Sequence, residues 1–316
     1  MMKSYKILKK VIKEKNIELV HSHTRISSFI CGLLHKKMHF PFVTTAHWTF
    51  KVTPLLKLMT NWGENTIAVS EDIKDYLIKN YRLKDSNIFV TVNGIDTQKF
   101  SKEIDAGKIV KEFNLNKAAN RIVYISRLDE SRALVARQLV NISENLNKDI
   151  SNLEIVIVGG GDVFDEIKKQ ADSINAKLGK QLIILTGART DINLFTAIGT
   201  IFIGVSRSAL EAMAAERPVI VAGNEGYLGI FDESKLVSGI ETNFCCRGLD
   251  MPTESILKGD ILKLINAVNK DSMGEYNRSI VKEYYSVEKM TNDCLNVYEK
   301  TLKIHWLYKF KSIKLF

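Results

Sequence analysis

The chain has 316 residues, 45% of them apolar and 26% charged, with a net charge of +9. That length and balance suit a globular protein of two domains and exclude a disordered or fibrous one. The positive charge implies anionic partners (sugar nucleotides, nucleic acid or anionic lipid) without choosing among them. Four cysteines, Cys31, Cys245, Cys246 and Cys294, lack zinc-ligand spacing, and adjacent Cys245 and Cys246 suit no disulfide framework. A reducing cytoplasm is the expected setting. No apolar run reaches the ~18 residues of a membrane span. The basic start, MMKSYKILKKVIKEKN, lacks the uninterrupted apolar core of a signal peptide.

From Lys3 to Lys15 the apolar Leu8, Val11 and Ile12 recur at helical spacing with lysines between them. Strand Ile17–Val20 follows, then His21-Ser22-His23-Thr24-Arg25 and a helix around Ser28–His35. Pro41–Thr45 is the next strand, ending at Ala46-His47-Trp48. A third, Thr66–Val69, closes on Ser70-Glu71-Asp72, an N-cap and acidic first turn for a helix. A fourth, Ile88–Val92, ends in Asn93-Gly94. The polar stretch Asp96–Ala119, with a short amphipathic helix near Ile109–Phe113, is the best linker candidate.

A second alternating series then begins. Strand Arg121–Ile125 leads to Ser126-Arg127-Leu128 and a helix Leu134–Leu146. Leu153–Val158 leads to Gly159-Gly160-Gly161-Asp162, and Leu182–Leu185 to Thr186-Gly187-Ala188-Arg189 and a short helix Asp191–Ala197. Thr200–Ile203 runs through a glycine turn into a helix that Pro218 ends, and Val219–Ala222 is a short buried strand. Helices Ile256–Val268, Tyr276–Tyr285 and Val287–Lys303 complete the pattern, with Ser286 an N-cap for the last. Such alternation predicts parallel sheets covered on both faces, with ligands at the carboxyl ends of the strands. Glu211 lies early in its helix, beside backbone N–H groups that favour anions. It either favours the helix dipole alone or accepts hydrogen bonds from two ribose hydroxyls of a nucleotide. The run Gly159–Gly161 admits a close backbone approach but does not fit the G-x-G-x-x-G spacing, which disfavours NAD.

The segment LEAMAAERPVIVAG resembles the signature helix and following strand of the family 4 retaining glycosyltransferases. VHSHTR, TTAH, AVSEDIKDYL and VNGIDTQKF are similar to the acceptor-side landmarks of that family, and ISRLDESR, IVGGGD and TGARTDI to its donor-side landmarks, in the same order. The resemblance covers roughly Glu18 to Lys300 and implies an α/β GT-B architecture of two Rossmann-like domains. The expected divisions are 1–100 on the acceptor side, a linker at 101–118, a donor-binding domain at 119–285, and a C-terminal helix and tail at 286–316. Family members open with a further strand, glycine-rich loop and helix, so the first domain is expected to be incomplete at its N-terminus.

The resemblance also implies roles. Glu211 matches the glutamate that holds the donor ribose, within a donor site of Gly204, Ser206, Arg207, Ser208 and Glu211. The family's other glutamate, eight positions earlier, falls on Ile203, which leaves recognition of the sugar unaccounted for. Arg127 matches a family arginine, and Arg132 stands where the family has a lysine. Two cations there stabilise the negative charge that develops on a departing diphosphate, with no metal or cofactor needed. By position instead, Arg189 follows Thr186-Gly187 at another carboxyl strand end and is expected at the nucleotide base. His47 matches the histidine beside the transferred sugar, while His21 and His23 are expected as strand-end caps. A metal site among the three histidines is not expected, since no acidic or cysteine partner shares their spacing.

The function implied is a retaining glycosyltransferase that moves a sugar from a UDP- or GDP-sugar to a saccharide or lipid-linked acceptor, in cell-surface polysaccharide or glycolipid synthesis. A nucleotide-sugar-binding subunit with impaired catalysis is the alternative, and a sugar-nucleotide epimerase is less supported. The tail from Lys303 to Phe316 interleaves lysines with Trp306, Tyr308 and Phe310. It suits either a peripheral contact at the inner face of a membrane, to which the basic first helix adds, or a segment packed back on the first domain. Nucleic acid is not an expected partner, because no binding motif accompanies the charge.

Overall fold

Apolar, β-branched runs separated by helix-forming stretches fold here as two mainly parallel sheets with helices packed against them. The computed structural model describes residues 1–313. Its contacts divide the chain into two units: Met1–Gly94 with the chain from Glu288 onward, and Ile95–Val287.

The first unit runs α1 (Met2–Glu14), β1 (Val20–Ser22), α2 (Arg25–Met38), β2 (Phe42–Ala46), α3 (Pro54–Leu58), β3 (Asn65–Ala68), α4 (Glu71–Tyr81) and β4 (Ile88–Val90). Its four strands lie side by side in chain order and all pair in parallel. Every residue of β2 and β3 is buried, which is why neither alternates polar with apolar. Ile12 of α1 meets Ile30 and Leu34 of α2 and Phe42 of β2, while Ile73 and Leu77 of α4 pack with Ala46 and Ala68. The first strand begins at Val20 rather than Ile17, which is 36% exposed. Ser70 holds the N-cap position of α4, but its hydroxyl donates to Asp72 Oδ1 instead of capping the helix.

The second unit runs α5 (Gly107–Glu112), β5 (Asn120–Ile125), α6 (Leu134–Asp149), β6 (Leu153–Val158), α7 (Phe164–Leu178), β7 (Ile183–Leu185), α8 (Ile192–Ile198), β8 (Ile201–Gly204) and α9 (Ser206–Ala214). It continues through β9 (Val219–Gly223), β10 (Gly226–Ile230), α10 (Leu236–Glu241), α11 (Glu254–Ile265) and α12 (Lys270–Tyr284). The sheet order is β10-β9-β8-β5-β6-β7, with only β10 antiparallel. From β5 the chain builds outward to β6 and β7, then returns to place β8 on the other side of β5. That reversal is a topological switch point, where open α/β sheets bind ligands at the carboxyl ends of their strands.

Residues 101–118, expected as a linker, lie inside the second unit. Ile109 and Leu115 are buried there, and Asn116 is bonded into a buried ion pair. In that pair Arg121 Nε and Nη2 donate to Glu154 Oε2 at 2.9 and 2.7 Å. Asn116 N donates to Glu154 Oε1 at 2.8 Å, and Arg121 Nη1 to the Ile198 carbonyl at 3.1 Å.

The last helix, α13 (Val287–Ile313), belongs almost entirely to the first unit. Its Val297 packs on Val43 and Ile67, and Asn65 Nδ2 donates to Thr301 Oγ1 at 2.8 Å. The side chains of the basic-aromatic run from Trp306 onward lie outside the described residues. Among the described residues no helix is long and apolar enough to cross a membrane.

Candidate functional site

Two strand ends meet at the switch point of the second unit. Tyr124 of β5 pairs with Ile203 of β8, so the loop beginning at Ser126 and the turn at Gly204 leave the sheet side by side. The first carries Arg127 and Arg132, and the second leads into α9 with Glu211. Arg127 is exposed and, among the described residues, makes no ion pair. Arg132 is 41% exposed and held by Asp129 Oδ2 at 3.0 Å.

Glycines shape this loop. Gly159 has φ +152, and a Cβ on it would strike the carbonyl oxygen of Ser126. A Cβ on Gly161 would strike that of Leu128. Leu128 N donates to the Gly160 carbonyl at 3.0 Å, and Glu130 N to Asp162 Oδ1 at 3.0 Å. The close approach read from this glycine run is therefore loop against loop, and it sets the backbone that presents Arg127.

At the other strand end Gly204 is buried between the Phe202 ring and the Ser208 hydroxyl, each 2.8 Å from where a Cβ would stand. Ser206 adopts φ +51, and its N–H donates to the Phe244 carbonyl at 2.8 Å. Ser208 Oγ donates to the Val205 carbonyl at 2.9 Å, and no side chain caps α9. Glu211, 2% exposed, accepts from Arg207 Nε at 2.8 Å. Burial raises its pKa, and the charges of Arg207 and Lys99 partly offset the rise. A carboxylate so desolvated gains strongly from any donor that reaches it. Lys99 belongs to VNGIDTQKF, read from the sequence as an acceptor-side landmark, and nothing there tied it to Glu211. Ile203 is wholly buried in the core with Ile122 and Ile220.

Arg189, expected at the nucleotide base, is engaged elsewhere. All three of its guanidinium nitrogens donate to carboxylates, with Glu112 at 2.6 and 3.1 Å and Asp191 at 2.9 and 2.8 Å. The guanidinium also lies 5.6 Å from the ring centres of both Phe113 and Phe195. It fastens α5 to the loop after β7.

In the first unit the three histidines cluster. His21 lies within β1, not at its end. One ring nitrogen meets the Tyr298 hydroxyl of α13 and the other Thr45 Oγ1, each at 2.7 Å. Burial and the neighbouring His23 and His47 lower its pKa to about 4. The His23 ring sits 4.1 Å from that of His21, and His23 Nδ1 is 3.1 Å from Nε2 of His47. His47, just past β2, is also hydrogen-bonded to Asn93, and burial lowers its pKa. The expected capping by His21 and His23 thus gives way to a connected polar cluster. Tyr298 and Thr45 were invisible as partners, since one lies 277 positions away and the other looks like any strand threonine. Among the described residues no group of three or more His, Cys, Asp or Glu side chains is placed to hold a metal ion.

Known proteins share this organisation. Residues 1–99 match the family described as Glycosyltransferase Family 4, and residues 119–242 match Glycosyl transferases group 1. An Escherichia coli protein named UDP-Gal:alpha-D-GlcNAc-diphosphoundecaprenol alpha-1,3-galactosyltransferase is 27% identical, over 71% of this chain and 62% of its own length. A glycosyltransferase of Methanocaldococcus jannaschii is 26% identical over 95% of this chain and 80% of its own. A glycosyltransferase structure from Rickettsia africae superposes with a TM-score of 0.75 at 20% identity, covering 95% of this chain and 80% of that one. Anabaena HepE in complex with UDP superposes with a TM-score of 0.72 at 15% identity, covering 94% and 82%. With both family matches in sequence order and the fold shared, the chain belongs to the family 4 glycosyltransferases of the GT-B class.

Proposed function

We propose that the protein transfers a sugar, with retention, from a UDP-sugar to a saccharide or lipid-linked acceptor. The observation that carries this is the placing of the Arg127 loop beside the Gly204 turn and α9 at the switch point of the second sheet. The uncapped N-terminus of α9 and the Arg127 guanidinium suit a diphosphate, and Glu211 suits the ribose hydroxyls on exchanging its Arg207 partner for them. UDP as the nucleotide is supported by the complex of HepE and by the name of the Escherichia coli relative. The same name supports a lipid diphosphate acceptor.

In the transfer, the bond between the anomeric carbon and the diphosphate oxygen breaks, and its electron pair leaves on the diphosphate. Arg127 and Arg132 stabilise that charge with preorganised donors. The acceptor hydroxyl oxygen bonds the anomeric carbon from the same face and gives its proton to the departing phosphate oxygen. His47, uncharged at neutral pH, positions a sugar hydroxyl and needs no proton of its own to move. With Ile203 in the core, contacts to the donor sugar come from backbone or other side chains.

Calorimetry with UDP and GDP tests the reading. UDP binds the unmodified chain, and Arg127→Ala and Glu211→Ala each weaken it about ten- to hundredfold, the worth of a charged hydrogen bond. Undiminished binding in both variants ends the assignment. Sugar transfer or slow donor hydrolysis by the purified chain then separates an enzyme from a subunit that only binds.

A further inference from the structure

The chain's charge is not spread along its length. Residues 1–60 hold eleven Lys and Arg against two Glu, and the rest hold thirty-four of each sign, so the whole net charge of +9 sits in those 60 positions. Exposed apolar side chains gather there too. Of the large apolar residues left exposed among the described residues, eleven fall between Met1 and Met59 and six in the remainder.

Two elements carry most of this surface. On α1, Ile7 and Val11 stand one turn apart and are 52% and 43% exposed, flanking the inward Leu8 and Ile12, with Lys6, Lys9 and Lys13 on the opposite side. Short α3 has no buried residue, and its Leu55 and Leu58 are 65% and 80% exposed beside the exposed Lys51 and Lys57. A groove of about 470 Å³ borders α3 and the first turns of α2, lined by Arg25, Ile26, Phe29, Leu56 and Met59 among others. Arg25 lies in the groove wall with its guanidinium 4.9 Å from the Phe50 ring centre and Nη1 buried. A water-facing surface of this kind marks an interaction site.

We propose that this face docks on an anionic phospholipid bilayer. Ile26, Leu55, Leu58 and Met59 enter the interface, and the exposed Lys51 and Lys57 meet lipid phosphates. The charge selects the occupant. A second copy would bring the same strongly positive face and repel the first, whereas a bilayer of anionic lipid is uniformly complementary. Nucleic acid matches the charge but leaves exposed leucines with nothing to bury them. The proposal stands independently of the transfer reading, since nothing in it depends on the second unit.

Vesicle flotation of the full chain tests it, comparing phosphatidylcholine alone with phosphatidylcholine containing phosphatidylglycerol. The protein floats with the anionic vesicles, and does so less as salt is raised. The double variant Leu55→Ser/Leu58→Ser partitions about tenfold less or weaker still, with its melting temperature and UDP binding unchanged. Lys51→Glu/Lys57→Glu, which keeps the apolar residues, lowers partitioning in the same direction. No flotation with anionic vesicles, or flotation that both variants leave intact, overturns the proposal. So does a dimer in light scattering that Leu55→Ser/Leu58→Ser dissociates, because the face would then join two copies.

Discussion

Glu211 and His21 show what burial does to single groups. The Glu211 carboxyl, desolvated and steadied by Arg207, must be ionised to accept hydrogen bonds from a ribose. UDP affinity is therefore expected to fall as pH is lowered toward its raised pKa. In Arg207→Met, which removes the opposing charge, the fall begins at higher pH, as calorimetry at stepped pH would show. His21 works on stability instead. Its pKa of about 4 lies below the unfolded value of 6.5, so the unfolded chain binds more protons between those two limits. The stabilisation is complete above pH 6.5 and is lost as pH falls toward 4. The thermal midpoint of His21→Gln, which does not titrate, depends less on pH across that window than that of the unmodified chain.

At the scale of elements, the glycine run after β6 governs the arginine loop after β5. Gly159→Ala forces a Cβ into the Ser126 carbonyl, and this overpacking costs about 1–3 kcal/mol, read from the urea midpoint. The same substitution displaces Arg127, so UDP affinity falls with stability. An affinity unchanged beside a lowered midpoint would separate the two loops. The alternation of apolar strand and amphipathic helix was legible because period and glycine punctuation are local properties. What faces a glycine is not local. Gly159 announced a close approach, yet its partner Ser126 lies on another strand end. Residues 101–118 looked polar enough for a linker, but two apolar residues, Ile109 and Leu115, suffice to dock them. Arg189 resembled a ligand contact by position alone. Its carboxylate partner Glu112 came from the very segment set aside as linker. The antiparallel β10, rich in glycine and short, carried no strand period to read.

The whole molecule separates its probes by unit. All three tryptophans, Trp48, Trp62 and Trp306, belong to the first unit, whereas the proposed nucleotide site is built in the second. A ligand at a hundred times its dissociation constant stabilises the fold that binds it by about 2.7 kcal/mol. Saturating UDP should therefore shift the urea transition seen by far-ultraviolet circular dichroism more than the one seen by tryptophan emission. Equal shifts in both signals would mean that the two units unfold as one.

The first unit is also interrupted in sequence, and this bears on its birth at the ribosome. Its four strands are translated early, but Tyr298, Val297 and Thr301 arrive only with the final helix. All of residues 95–287 must be made in between, which at ~5–20 residues per second takes roughly 10–40 s. For that interval His21 and the flank of β2 and β3 wait without their cover, while the second unit has every residue it needs to fold. A nascent chain released before residue 288 thus carries a finished second unit and an unfinished first one.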